Sequence, residues 1–304
     1  MNPSTRVLHG IALLIAAVAC FASLDTATKL ISAGGVPLVM AMWTRYLFQA
    51  VATGAALLPR RGMTLLHTRR PWMQLLRGLL LLGCSAFAFL SLKFMPVGEF
   101  TAIVMLTPLL ITLIAATSLG ERVSAARWLC AVGGFAGALA VIQPGSEMFD
   151  WTMLLPLGLV ATNTGFQVVT SRLAHTDDPG TTHFYTGCIG TLATAVMLPF
   201  AWQPLHSPLL WALLALIGLF GTVGHFMLIL AYRRAPVAVL TPWLYAQIGF
   251  ATLAGWLVFK HAPDALAVAG IAAIAVCGAL GTWLNGREHR AALARLPAPR
   301  RASC

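Results

Sequence analysis

Asp25 and Lys29 stand four residues apart in LDTATKL, at the far end of the apolar run IALLIAAVACFASL. Arg45 follows in the next apolar block and heads a stripe of Arg45, Gln49 and Thr53, spaced one helical turn apart. On insertion scales each charge costs about 2.5 to 3.5 kcal/mol near the centre of a bilayer, so pairing or a wet cavity is the reason to keep it there. Counting along their runs puts Asp25 and Arg45 at nearly the same depth, where they could meet; Asp25 could instead take a proton. Lys29 shares a face with Asp25 one turn nearer the surface. The plainer reading of these two is an interfacial ion pair whose lysine stem reaches outward.

Further polar stripes follow: Asn163, Gln167 and Thr170; Gly221, His225 and Tyr232; and Thr241, Tyr245 and Thr252, with Trp243 and Gln247 beside them. The same counting places Asn163, Tyr245 and Gln247 near the midplane and Gln167 and His225 toward the cytoplasm, so together they could line a polar route. For each, the alternative is an interhelical hydrogen bond worth about 0.6 kcal/mol, the better reading for Thr53, Thr170 and Thr252. His225 could carry a proton, since imidazole titrates in the useful range. His183 is expected at the cytoplasmic surface. The candidate substrate-binding or gating residues are therefore Asp25, Lys29, Arg45, Gln49, Asn163, Gln167, His225, Trp243, Tyr245 and Gln247. There is no HExxH pair, GxSxG elbow or acid cluster. The six cysteines (Cys20, Cys84, Cys130, Cys188, Cys277, Cys304) lie singly, so neither metal site, cofactor nor disulfide framework is indicated.

The elements that must hold these residues are membrane-spanning helices. Of 304 residues, 59% are hydrophobic and 10% charged, against roughly a quarter charged in a soluble domain. Apolar blocks at 8–31, 38–58, 73–93, 98–118, 125–142, 151–173, 181–201, 209–231, 236–259 and 265–285 are each about long enough to cross a hydrocarbon core. The fold class is all-α and polytopic, with ten transmembrane helices and short connections. The first block resembles a signal peptide but is long enough to be a retained helix. With both termini cytoplasmic, the inner side gathers the arginines, including Arg77 just inside a helix, and leaves Lys29, Arg45, Lys93 and Lys260 toward the outside. The net charge of +11 thus records topology. Nucleic acid is not an expected partner, because the arginines flank helix ends with no aromatic platform among them. The basic tail adds attraction to anionic lipid.

An internal repeat is present. TKLISAGGVPLVMAMWTRYLFQAVATGAALLP aligns with SRLAHTDDPGTTHFYTGCIGTLATAVMLP, and SLKFMPVGEFTAIVMLTP with AYRRAPVAVLTPWLYAQI, setting Pro96 opposite Pro236. Five spans per copy is odd, so the second copy enters the membrane from the other side. The loop charges agree: RRGMTLLHTRRP follows Pro59, whereas FAWQPLHSP, with no arginine, follows Leu198 and Pro199. The expected units are residues 1–143, residues 150–285 and a tail at 286–304. Inverted repeats of this kind build secondary transporters with a midplane site. Pro108 and Pro242, inside spans 4 and 9, could bend their helices around a cavity.

With LRGLLLLGCSAFAFLSLKFMPVGEFTAIVMLTPLLITLIAATSLGERVSAARWLCAVGGFAGALAVIQPG in the first half and GHFMLILAYRRAPVAVLTPWLYAQIGFATLAGWLVFKHAPDALAVAGIAAI in the second, the chain resembles the EamA family of the drug/metabolite transporter superfamily. The resemblance spans about residues 8 to 285. It implies a ten-helix carrier of inverted repeats with a cavity lined mainly by helices 1, 3, 4, 6, 8 and 9, and it implies no particular substrate. One departure is Lys260 and His261 where the second repeat usually carries a glutamate matching Glu121. The expected function is export of a small polar metabolite, an amino acid or related compound, by alternating access across a bacterial inner membrane, with protons as a possible coupling ion and a homodimer compatible with the fold. Uptake, or export of a metal-chelating metabolite, is the alternative within the fold; an intramembrane enzyme or a non-transporting scaffold is the alternative outside it. If Asp25 couples flux to protons, Asp25→Asn abolishes pH-driven flux and spares binding; unchanged flux in reconstituted vesicles defeats that role.

Overall fold

The computed structural model describes residues 3–110, 124–143, 150–173, 176–235, 240 and 243–294. Its principal helices are α1 (Pro3–Ala33), α2 (Leu38–Arg61), α3 (Pro71–Phe94), α4 (Val97–Val104), α5 (Ala125–Ile142), α6 (Leu155–Leu173), α7 (Pro179–Ala195), α8 (Pro208–Arg234), α9 (Ala246–Phe259) and α10 (Ala265–Ala294). No strand occurs among the described residues. Glu121, Arg122, Pro236, Thr241, Pro242, residues 111–118 and 237–239 of the expected fourth and ninth spans, and the tail beyond residue 294 lie outside them.

Local chemistry sets many of the boundaries. Pro71, Pro179 and Pro208 open α3, α7 and α8, where a missing N–H is no loss and the fixed φ suits the first turn. Asp178 caps α7 by accepting from the Gly180 N–H at 2.8 Å. Lys260 closes α9 in the left-handed region at φ 55°. Two elements differ from expectation. The seventh span is helical only to Ala195, with a separate turn at Leu198–Ala201. The tenth runs past 285 into the tail as far as Ala294.

Thr5–Ala33, Pro71–Phe94, Trp151–Thr170 and Pro208–Arg234 are long and apolar enough to cross a membrane, and Val97–Leu110, Trp128–Ile142, Ala246–Phe259 and Ala265–Gly281 are shorter apolar helices. The most polar pair, α2 and α7, pack on each other. Gln49 of α2 thereby finds the His183 carbonyl of α7, a partner that lipid cannot supply. Conversely, Leu129, Val132 and Phe135 of α5 and Leu253 and Trp256 of α9 point outward, as suits helices whose outer face meets hydrocarbon.

Packing between the two halves is reciprocal. Besides α2 on α7, α1 packs on α8 and α3 on α6, α4 on α9 and α5 on α10, α2 on α8 and α3 on α7, α1 on α9 and α4 on α6. Exchanging α1–α5 for α6–α10 carries each pair onto itself or onto another in the set. The largest core joins Leu14 and Val18 of α1, Phe100 and Ile103 of α4, Leu228 of α8 and Ile274 of α10.

At the α5–α10 crossing, small residues bring backbones together. A Cβ on Gly270 would lie 2.5 Å from the Gly137 carbonyl oxygen, and one on Gly137 2.8 Å from that of Gly270. Gly270→Leu is therefore expected to cost about 1 to 3 kcal/mol, seen as a lower thermal midpoint in detergent. Gly249→Leu, which meets nothing within 4 Å, should leave the midpoint in place; equal losses would contradict the tight crossing.

Candidate functional site

The site forms where a helix breaks. After Val104 the α4 ladder gives way to a turn at Met105 and Leu106, and helix resumes at Thr107. Pro108 has no N–H and its ring excludes the carbonyl four residues earlier, that of Val104. The Thr107 hydroxyl takes up this carbonyl at 2.7 Å, and its oxygen accepts from Asn163 Nδ2 of α6 at 3.3 Å. Irregular backbone at membrane depth is tolerated where it lines a cavity, and a cavity is what it lines here.

That cavity has a volume of about 130 Å³, below the 300 to 1,000 Å³ or so common for small-molecule sites. Its wall includes Phe21 and Asp25 of α1, Arg45 of α2, Cys84 and Ser85 of α3, and Phe100, Met105, Thr107 and Pro108 along the broken fourth helix. Asn163, Phe166 and Gln167 of α6, His225 of α8 and Gln247 of α9 complete it. Both halves of the chain thus contribute polar side chains.

Arg45 organises the polar part. Its Nη1 donates to Ser85 Oγ at 2.6 Å, and its Nη2 contacts His225 Nε2 at 3.1 Å. A guanidinium has only donors, so this contact is a hydrogen bond only with Nε2 unprotonated and the imidazole proton on Nδ1. Protonating Nε2 would set two cations against each other. Ser85 Oγ also meets the Tyr46 hydroxyl at 2.7 Å, and Tyr46 donates to the Leu81 carbonyl at 2.9 Å. The guanidinium fits because Gly221 has no side chain: a Cβ there would lie 2.9 Å from Arg45 Nε.

Asp25, 9% exposed, accepts from Gln247 Nε2 at 3.5 Å, across the two halves. It faces the same cavity as Arg45, yet among the described residues the two form no ion pair. A second, smaller void of about 30 Å³ runs toward Thr28, Ala41 and Met42, sharing Asp25, Arg45, Ser85, Leu24 and Ala88 with the first. The carboxylate and guanidinium therefore stand in the partition between two spaces.

Of the residues singled out from the sequence, Asp25, Arg45, Asn163, Gln167, His225 and Gln247 come together in this wall. Gln167 accepts there from the Tyr232 hydroxyl at 3.2 Å. The others lie elsewhere. Lys29 donates to the Leu92 and Met95 carbonyls at the end of α3, at 3.1 and 2.6 Å. Gln49 is buried against α7, donating to the His183 carbonyl at 3.0 Å. Trp243 is 44% exposed, and the Tyr245 hydroxyl abuts Gly278 of α10.

Two expectations are corrected. His183 is not at the surface but 1% exposed, because α7 begins at Pro179 and turns it onto α2, with Phe226 of α8 5.6 Å from its ring. Arg77, grouped with the arginines that flank helix ends, does not stand free at one: it too is 1% exposed. Its guanidinium rests 4.7 Å from the centre of the Phe166 ring, and its Nε donates to Thr170 Oγ1 at 2.9 Å. Sequence reading also passed over Tyr46, Ser85 and Phe166. For Ser85 the usable signal was its helical spacing from Arg77 and Leu81 along α3.

Residues 8–143 match the EamA-like transporter family. The chain is 30% identical to a riboflavin transporter of Rhizobium johnstonii over 86% of its own length and 87% of the relative's. It is 26% identical to an S-adenosylmethionine uptake transporter of Rickettsia bellii over 67% of its length and 69% of the relative's. A solved crystal structure superposes with a TM-score of 0.68 at 22% identity, covering 94% of this chain and 99% of the other, a likeness of fold alone.

Removing Ser85 Oγ strips a partner from both Arg45 and Tyr46. Ser85→Ala is expected to destabilise the purified protein by about 1 to 3 kcal/mol. Ser23→Ala, whose hydroxyl serves only the Ala19 carbonyl of its own helix, should stay within about 0.5 kcal/mol. A silent Ser85→Ala would show that Arg45 needs no such support.

Proposed function

The chain belongs to the EamA family of the drug/metabolite transporter superfamily, an integral-membrane transporter family, and from that premise we propose a secondary carrier of a small polar metabolite. It works by alternating access, in a bacterial inner membrane, with two inverted five-helix repeats and both termini in the cytoplasm. The observation that carries the reading is the convergence of Asp25 and Arg45 from the first half with Asn163, His225 and Gln247 from the second on one cavity beside a broken helix. The reciprocal packing of α1–α5 and α6–α10 supports the repeat and supplies the symmetry that rocking requires.

The substrate class we favour is a planar heteroaromatic metabolite of the riboflavin kind. Phe21, Phe100 and Phe166 give the cavity three aromatic side chains, and Asn163, Gln167 and Gln247 give it carboxamides able to match donor and acceptor edges. The name of the Rhizobium relative points the same way. The second reading, an amino acid or similar zwitterion, rests on Asp25 and Arg45 presenting opposite charges to one space without neutralising each other. Such a carrier contains no irreversible step, so net direction, export included, follows the gradients.

Counterflow in proteoliposomes tests both readings. Vesicles loaded with unlabelled riboflavin should accumulate labelled riboflavin, and vesicles loaded with a panel of amino acids should not; the opposite pattern selects the zwitterion. Arg45→Gln is expected to lower exchange by about tenfold or more, the equivalent of about 1.4 kcal/mol or more. Absence of exchange with every member of both classes would remove the carrier assignment for these substrates.

A further inference from the structure

Arg77 is a buried charged group that does not line the cavity. It lies six residues, about 9 Å of helix rise, inside the start of α3, fully enclosed, with no carboxylate in ion-pair contact among the described residues. All of its hydrogen bonds cross to the other half of the chain: to Thr170 of α6, and to the Thr182 carbonyl and the Thr186 hydroxyl of α7. Neutral donors would join these helices without burying a charge. A guanidinium is explained if, in another state of the protein, it stands in water.

The surroundings show which way that water would come. One turn nearer the arginine-rich end, Gln74 Nε2 donates to Thr182 Oγ1 at 3.1 Å and to Asp177 Oδ2 at 2.9 Å. Asp177 also accepts from the Thr68 hydroxyl and the Arg69 N–H, and Asp178 from Arg61. Each of these bonds joins the segment from α2 to α3 with the segment from α6 to α7. In the other direction, Arg77 stacks on Phe166, which lines the cavity.

We propose that Arg77 is the gating residue between the cavity and the arginine-rich, cytoplasmic end: bridged to Thr170, Thr182 and Thr186 it holds α3 against α6 and α7, and its release opens the cavity there. Asp177, linked to it through Thr182 and Gln74, is the outer catch of the same closure. The proposal rests on the alternating-access reading, but its test needs no substrate.

Cys84 faces the cavity and serves as a native reporter once Cys20, Cys130, Cys188, Cys277 and Cys304 are replaced by Ala. Its modification by a charged, membrane-impermeant methanethiosulfonate is followed in inside-out and right-side-out vesicles. Arg77→Gln is expected to speed modification from the cytoplasmic face by about tenfold without speeding it from the opposite face. Arg77→Lys should fall between Arg77→Gln and the parent. Asp177→Asn, outside the buried region, should give a smaller acceleration of the same sidedness, and it decides the matter if Arg77→Gln fails to fold. Unchanged cytoplasmic rates, or equal acceleration from both faces, overturn the gate. Failure of counterflow with a sided change at Cys84 would instead count against the substrate reading alone.

Discussion

A guanidinium inside a bilayer has nowhere to place its five N–H donors except on the protein itself, and Arg45, whose Nη1 and Nη2 find partners while its Nε has none among the described residues, shows what meeting part of that demand entails. Ser85 must sit on the facing turn of α3, Tyr46 must brace Ser85, His225 must arrive as an acceptor, and position 221 must lack a side chain. Three helices from both halves are thereby fixed around one group. With the guanidinium held on these partners, Asp25 forms no ion pair among the described residues and is held by Gln247 across the cavity. An internal pair would have neutralised both charges; their separation leaves each able to meet a ligand.

The broken fourth helix is the complementary constraint. Proline at 108 forfeits ladder bonds at the depth where lipid cannot replace them. The Thr107 hydroxyl repairs one and hands its oxygen on to Asn163, so the cavity wall and the repaired break are the same atoms.

The sequence makes legible what depends on length and on charge placement. Nine of the ten expected spans begin within about five residues of a helix start, because apolar run length and prolines at the first turn are local properties. The exception, the span starting at 236, opens outside the described residues. Asp25, Arg45, Asn163, His225 and Gln247 were visible as polar residues where lipid would reject them. Arg77 was not, since an arginine near a helix start has the same pattern whether it snorkels to water or packs under a neighbouring helix; only α7 lying over α3 tells them apart. His183 failed for the same reason in reverse. Trp243 and Tyr245 fall where phase counting fails: a turn at Tyr245 interrupts the helix just before α9, so faces counted from Pro236 do not carry through to Gln247. Lys29 needed the position of the α3 carbonyls, which no pattern within α1 encodes.

The crossing of α5 and α10 has a mechanical meaning. Both helices sit at corresponding places in the two halves, and at Gly137 and Gly270 backbone meets backbone, with Ile274 and Val141 packed against the facing glycines. So close a contact works as a rivet: it ties one half of the chain to the other through main-chain atoms.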